Sequence, residues 1–145
     1  MVSSQFQGFC RDLHSDCVDW VARHASTPML SVALRHSLSV NRLLDRGNPN
    51  PGNIGSDFER FGLSLWTRLD AHDARNVARR RSLESLSAWR NAIAHQDFNP
   101  ARLGARLVLR LGEARGWRRA CSGLVVSCDA VMRDQLRALV GVAPW

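Results

Sequence analysis

Three polar residues that could act on a phosphate ester lie within six positions, in the stretch WRNAIAHQDFNP at residues 89–100. They are Arg90, Asn91 and His95. Histidine titrates near neutral pH and exchanges protons in either direction, and arginine stays charged and matches phosphate oxygens. On an α-helix, Asn91 and His95 share one face, whereas Arg90 lies about 140° from His95 around the axis. Only the long side chain of Arg90 can therefore bring its charge to the same place.

A purely structural interpretation of these residues is a helix C-terminus. There, arginine and histidine side chains satisfy the last carbonyl groups and complement the helix dipole. This interpretation accounts for one basic residue near a helix end, but it does not explain the asparagine directly after Arg90. Considered residue by residue, both interpretations remain open.

The rest of the chain predicts an all-α fold, a compact bundle of four to five helices in one domain over residues 1–145. Apolar residues recur at spacings of three and four in residues 4–25, 28–46, 57–69, 77–95 and 117–141. Asp57 is a candidate N-cap for the third helix, and Pro100 predicts an end after the fourth. Residues 47–56, 70–76 and 112–116 predict loops or turns, and residues 105–111 predict a short strand or an extended link. The predicted core includes Phe6, Leu13, Trp20, Phe61, Leu65, Leu86, Ile93, Leu124, Val125 and Val131.

The net charge of +7 favours a polyanionic partner, because arginine binds phosphate through two parallel hydrogen bonds. All 20 basic residues are arginine, which also fits codon bias in a GC-rich genome, so the sign of the charge is the more informative observation. No apolar run approaches the roughly 18 residues needed to cross a bilayer, and the N-terminus becomes charged too early for a signal peptide. We therefore expect a cytoplasmic protein with no membrane partner.

A second basic segment, RNVARRRS at residues 75–82, contains Arg75, Arg79, Arg80 and Arg81. Arg75 and Arg79 share a helix face, and the segment could follow an RNA backbone. The alternative interpretation is a solvated helix face, which is the usual place for a run of charge.

The cysteines and the remaining histidines predict no metal or cofactor. Cys10 and Cys17 are seven residues apart, as are Cys121 and Cys128, which separates the members of each pair by about 10 Å along a helix. That separation is too large for a disulfide or a shared tetrahedral metal, and it predicts buried thiols. The other histidines form no ligand spacing with an acid or a cysteine.

The string RNAIAH resembles the signature of the HEPN superfamily (higher eukaryotes and prokaryotes nucleotide-binding), which is an arginine, a polar residue, three further residues and a histidine. It is similar to the form found in bacterial toxin–antitoxin and phage-defence proteins. The resemblance extends along the chain, with the motif on a late helix and one more amphipathic helix after it. The segment FGLSLW at residues 61–66 and the closing helix with Asp129 and Asp134 also resemble the RiboL-PSP-like branch.

This resemblance implies a metal-independent endoribonuclease in which the 2'-hydroxyl of the RNA is the nucleophile. His95 would act as general acid or base, Arg90 would stabilise the charge on the phosphorane, and Asn91 would position His95 or a phosphate. It further implies a homodimer whose active site combines arginine and histidine from both protomers, with an antitoxin protein as a further partner. The alternatives are a non-catalytic HEPN module that binds RNA or nucleotide, and a helical adaptor that dimerises and recruits a protein.

Overall fold

The computed structural model describes residues 2–46, 50–104 and 108–145. These ranges contain six α-helices, one 3₁₀ turn at Leu43–Asp45 and no strand, which confirms the all-α prediction. The helices are α1 (Val2–Arg23), α2 (Pro28–Ser39), α3 (Pro51–Glu59), α4 (Leu65–His72), α5 (Arg75–His95) and α6 (Leu111–Val140). None of these helices is long and apolar enough to span a membrane.

The core lies where α6 packs against α1, α4 and α5. Seven of the predicted core residues are buried, and Trp20 and Val125 are half-buried against them. The seven are Phe6, Leu13, Phe61, Leu65, Leu86, Leu124 and Val131. The prediction for Ile93 was wrong, because its side chain is 56% exposed. Near its C-terminal end, α5 turns Trp89 and Ala92 into the core, and Ile93, one position further around the helix, points away from it.

The second helix is shorter and more exposed than its apolar spacing predicts. It ends at Ser39, and Asn41 then adopts a left-handed conformation with φ of 55°. Leu30 and Ala33 are exposed and Leu34 is only half-buried, although all three follow the apolar spacing of the segment. Because α2 packs mainly against α1, it buries a narrow stripe rather than a broad face.

Asp57 does not begin a helix, so its predicted role as an N-cap was wrong. It lies inside α3, fully buried, and its carboxylate accepts hydrogen bonds from the backbone N–H of Leu43 (3.0 Å) and Leu44 (2.7 Å). Asp57 therefore caps the 3₁₀ turn across the fold instead of its own helix. The true cap of α3 is Asn50, whose side chain accepts from the backbone N–H of Asn53 at 2.9 Å.

The predicted loop at residues 47–56 is helical from Pro51 onward, and Gly47 lies outside the described residues. The predicted turn at residues 112–116 is also helical, since α6 already begins at Leu111. Glu113 explains this early start, because its side chain accepts a hydrogen bond from the backbone N–H of Arg110 at 2.9 Å, as in a capping box. Residues 108–110 form an irregular link, and residues 105–107 lie outside the described part of the chain.

All four cysteines are buried free thiols, as their spacing predicted. Burial raises the pKa of Cys17 and of Cys128 to about 12, and that of Cys121 to about 11. The thiols are therefore protonated at neutral pH and pack between α1 and α6 as small apolar groups.

Candidate functional site

The motif residues occupy the last two turns of α5. The helix ends at His95 because Gln96 adopts a left-handed conformation with φ of 54°. The backbone N–H groups of Gln96 and Asp97 both bond to the carbonyl of Ala92, and the bond from Asp97, at 3.1 Å, is the six-to-one bond of a Schellman motif. The chain thus leaves the helix well before Pro100, which confirms the predicted break but assigns it to a different residue.

Residues 97–104 then fold back in what we call the 97–104 turn. Asn99 organises it: its side chain accepts from the N–H of Ala101 at 2.9 Å, and its carbonyl accepts from Arg102 (3.1 Å) and Leu103 (3.2 Å). Leu103 is buried in the core and fastens the turn to the helical bundle. Gly104 follows with φ of 66°, a conformation that glycine adopts without strain.

Between the end of α5 and this turn lies an open cavity of about 430 Å³, which we call the His95 cavity. Asn91 and His95 line one side, and Asp97 and Arg102 belong to the segment that faces them. The remaining lining residues are Ala88, Ala92 and Leu103. The structure therefore brings Asn91 and His95 into one solvent-accessible space with a carboxylate and a guanidinium.

Arg90 lines a different surface. It borders a mainly apolar groove of about 540 Å³, which we call the Arg90 groove, together with Trp89, Ile93, Ala94 and Trp117 among others. The two surfaces are joined by a hydrogen bond of 3.4 Å from the Arg90 Nη1 to the Asn91 Oδ1. The guanidinium of Arg90 thus reaches Asn91 but does not line the His95 cavity.

The second basic segment divides into two groups. Arg79 is half-buried and donates to Asp73 at 2.9 Å and to the side-chain oxygen of Asn76 at 2.7 Å. Arg75 also bonds Asp73, and its hydrogen bonds hold the pKa of that carboxyl well below the usual range. These two arginines therefore fasten the start of α5 to the end of α4.

Arg80 and Arg81 have different environments. The Arg80 guanidinium lies 5.7 Å from the centre of the Trp66 ring and 3.5 Å from Asp70. Arg81 is exposed and forms no ion pair with any residue that the structure describes. Fourteen residues before His95, it lies within about 40° of the same helix face and about 21 Å away along the axis. Of the four arginines, only Arg81 is both without an ion pair to a described residue and aligned with His95.

Asp97 and Arg102 were missed by the sequence analysis. The signal was present, because Asn99 and Pro100 form a turn dipeptide directly after the motif. A chain that reverses there must return past the helix face it has just left. Sequence spacing alone does not say which face it passes.

The described part of the chain contains no group of three or more histidine, cysteine or acidic side chains arranged to hold a metal ion. Comparison of the chain with protein-family models, curated proteins and solved structures gives no match.

Proposed function

We propose that this protein is a metal-independent endoribonuclease of the HEPN type. The observation that carries the proposal is the presence of Asn91 and His95 in one open cavity, with Arg90 hydrogen-bonded to that same Asn91. His95 is exposed, and an imidazole is the side chain best suited to proton transfer at neutral pH. The resemblance of RNAIAH to the HEPN signature agrees with this arrangement.

In the proposed reaction the RNA supplies its own nucleophile. The 2'-hydroxyl oxygen attacks the adjacent phosphorus and loses its proton, while the bond from phosphorus to the 5'-oxygen breaks and that oxygen gains a proton. His95 either accepts the first proton or donates the second. Arg90 stabilises the charge that develops on the phosphoryl oxygens, and Asn91 positions His95 or the phosphate. The products are a 2',3'-cyclic phosphate and a 5'-hydroxyl.

The proposal includes a homodimer, because Arg90 and His95 of one protomer line different surfaces. A two-fold axis beside the end of α5 would bring two copies of each residue to one cleft. The apolar character of the Arg90 groove supports this, since Ile93 and Leu109 are exposed there next to the motif. Repulsion among the basic groups of such a cleft would be relieved by a bound phosphate.

As its biological role, we propose the effector of a bacterial toxin–antitoxin or antiphage system in the cytoplasm, with RNA as substrate and an antitoxin protein as partner. This part rests on the resemblance of the motif. Expression of the protein from a controlled promoter should arrest growth, and expression of His95→Ala should not. Co-expression of the neighbouring reading frame should restore growth if that frame encodes the antitoxin.

The proposed function is tested by incubating the protein with single-stranded RNA in the presence of EDTA. We expect cleavage, with 2',3'-cyclic phosphate (or the phosphate from its hydrolysis) and 5'-hydroxyl ends identified by mass spectrometry. The same oligonucleotide with a 2'-deoxy sugar at the cleaved position should resist cutting. Cleavage of that substituted RNA, or an absolute requirement for magnesium, would contradict the mechanism. Binding of RNA without cleavage would identify a binding module, and neither binding nor cleavage would favour an adaptor.

A further inference from the structure

The 97–104 turn holds a second arginine beside the candidate catalytic histidine. Arg102 lines the His95 cavity on the segment opposite α5, and its side chain is 74% exposed. Its backbone position is well defined, since its N–H bonds to the carbonyl of Asn99 at 3.1 Å and the next residue, Leu103, is buried in the core. The guanidinium of Arg102 is therefore exposed, while the backbone that carries it is held in place.

We propose that Arg102 is a phosphate-binding residue of this cavity and that it binds the RNA phosphate within the same protomer as His95. This inference rests on the proposed ribonuclease function. In one protomer, Arg102 lines the cavity that contains His95, whereas Arg90 lines the adjoining groove. A guanidinium matches two phosphate oxygens with two parallel hydrogen bonds, which fixes the orientation of the phosphate as well as its position.

Asp97 acts as the internal counter-ion of Arg102 when no RNA is bound. Their side chains form an ion pair of 3.3 Å, and the Asp97 carboxylate is 56% exposed. Exposed ion pairs of this kind contribute little stability, so a phosphate can displace the carboxylate at small cost. The guanidinium is thereby held at the cavity in the free protein and is released to the substrate on binding.

Two variants with opposite expected effects test this role. Binding is measured with an RNA oligonucleotide that carries 2'-O-methyl groups and cannot be cleaved. Arg102→Ala should raise the Kd about 10-fold. It should also make the slope of log K against log salt shallower, by the amount expected for the loss of about one phosphate contact. Asp97→Asn removes the competing carboxylate and should lower the Kd several-fold. A purely structural ion pair would instead make both variants weaken binding.

Matched controls separate local binding from net charge. Arg137→Ala and Asp134→Asn make the same charge changes near the C-terminal end of α6, where both side chains are exposed. They should shift the Kd much less than the variants at positions 102 and 97. Kinetics on cleavable RNA should show a raised KM for Arg102→Ala with a smaller change in kcat, as expected for a residue that binds phosphate in the ground state.

The outcomes distinguish this inference from the function on which it rests. If the unaltered protein cleaves RNA and Arg102→Ala behaves like Arg137→Ala, the role of Arg102 is wrong and the ribonuclease proposal stands. Binding that depends on Arg102 in a protein that never cleaves RNA supports the phosphate site and rejects the ribonuclease. A protein that neither binds nor cleaves RNA overturns both.

Discussion

Arg90 donates a hydrogen bond of 3.4 Å to the side-chain oxygen of Asn91, and this contact joins the Arg90 groove to the His95 cavity. The residue after the arginine is therefore more than a spacer between the two charged members of the motif. Its amide touches the guanidinium on one side and lines the space around the imidazole on the other. Replacement of Asn91 should consequently remove a hydrogen-bond acceptor of Arg90 and change the lining of the cavity around His95, without removing either charged residue.

The first prediction concerns the three motif residues. His95→Ala should lower the rate of RNA cleavage by about 10²–10⁴-fold, the usual cost of removing a general acid or base. Arg90→Ala should be similarly impaired and Asn91→Ala less so, because asparagine carries neither the proton nor the charge. The rates are measured by single-turnover cleavage of labelled RNA. His36→Ala, an exposed histidine on α2, is the control and should keep full activity. Full activity of His95→Ala would remove the basis of the proposed mechanism.

The second prediction concerns assembly. We expect a homodimer by sedimentation at micromolar concentration, and we expect Ile93→Glu to dissociate it, because a charge in an apolar interface must be desolvated without a partner. The control is Leu139→Glu, which alters an exposed leucine near the C-terminal end of α6 and should leave the dimer intact. The Ile93→Glu protein should remain folded, since Ile93 is exposed in the protomer, but it should lose cleavage. A fully active monomer would contradict the composite site.

The third prediction concerns stability at acidic pH. Burial and the nearby Arg42 lower the pKa of His14 to about 4, and its Nε2 lies 3.2 Å from the carbonyl of Asp57. The carbonyl only accepts and Arg42 only donates, so the neutral ring carries its proton on Nε2 and turns Nδ1, 3.4 Å away, towards Arg42.

Because the folded-state pKa of His14 lies below the unfolded one, the unfolded chain binds a proton between about pH 6.5 and pH 4 that the folded protein does not. The contribution of His14 to stability is therefore complete above pH 6.5 and is lost as the pH falls, by up to about 1.4 kcal/mol per pH unit. Denaturant unfolding at a series of pH values measures this slope. His14→Gln should flatten the slope between pH 6.5 and 5, and an unchanged slope would show that other groups cause it.

The fourth prediction concerns Arg79, one of the four arginines considered as RNA contacts. A Cβ on Gly123 would overlap the Arg79 guanidinium, which is held by Asp73 and Asn76. Gly123→Ala should therefore lower the free energy of unfolding by about 1–3 kcal/mol. In the double variant with Arg79→Ala the overlap is absent. The loss of unfolding free energy in the double variant should therefore be smaller than the sum of the losses in the two single variants. Strictly additive costs in denaturant unfolding would mean that Arg79 can move away freely.

Much of the fold follows from apolar spacing along the chain. The helical periods predict the all-α class, and the break between α4 and α5 follows from the polar run at residues 70–76. Periodicity also places Asn91 and His95 on one face of α5, where the structure indeed brings them into one cavity. These features are local, because a residue's phase on a helix depends only on the residues between it and its neighbour.

Several of the missed features depend on segments far apart in the chain or on the path of a turn. Ile93 has the spacing of a core residue but is exposed, because none of the described elements covers that face at the end of α5. Asp57 has the sequence context of an N-cap, yet it satisfies backbone N–H groups of a turn 13 and 14 residues earlier. The sequence left Arg79 open as an RNA contact or a solvated charge, and the structure shows it bonded to Asp73 and Asn76.

Arg102 shows most clearly what tertiary structure decides. Its charge can be read from the sequence, but its place beside His95 depends on the left-handed Gln96, on the Asn99 turn and on the burial of Leu103. Each of these features is local, and together they determine which face of α5 the chain passes on its return. Helical phase therefore settles which residues share a face, and only the packing of the connecting turn settles what stands opposite that face.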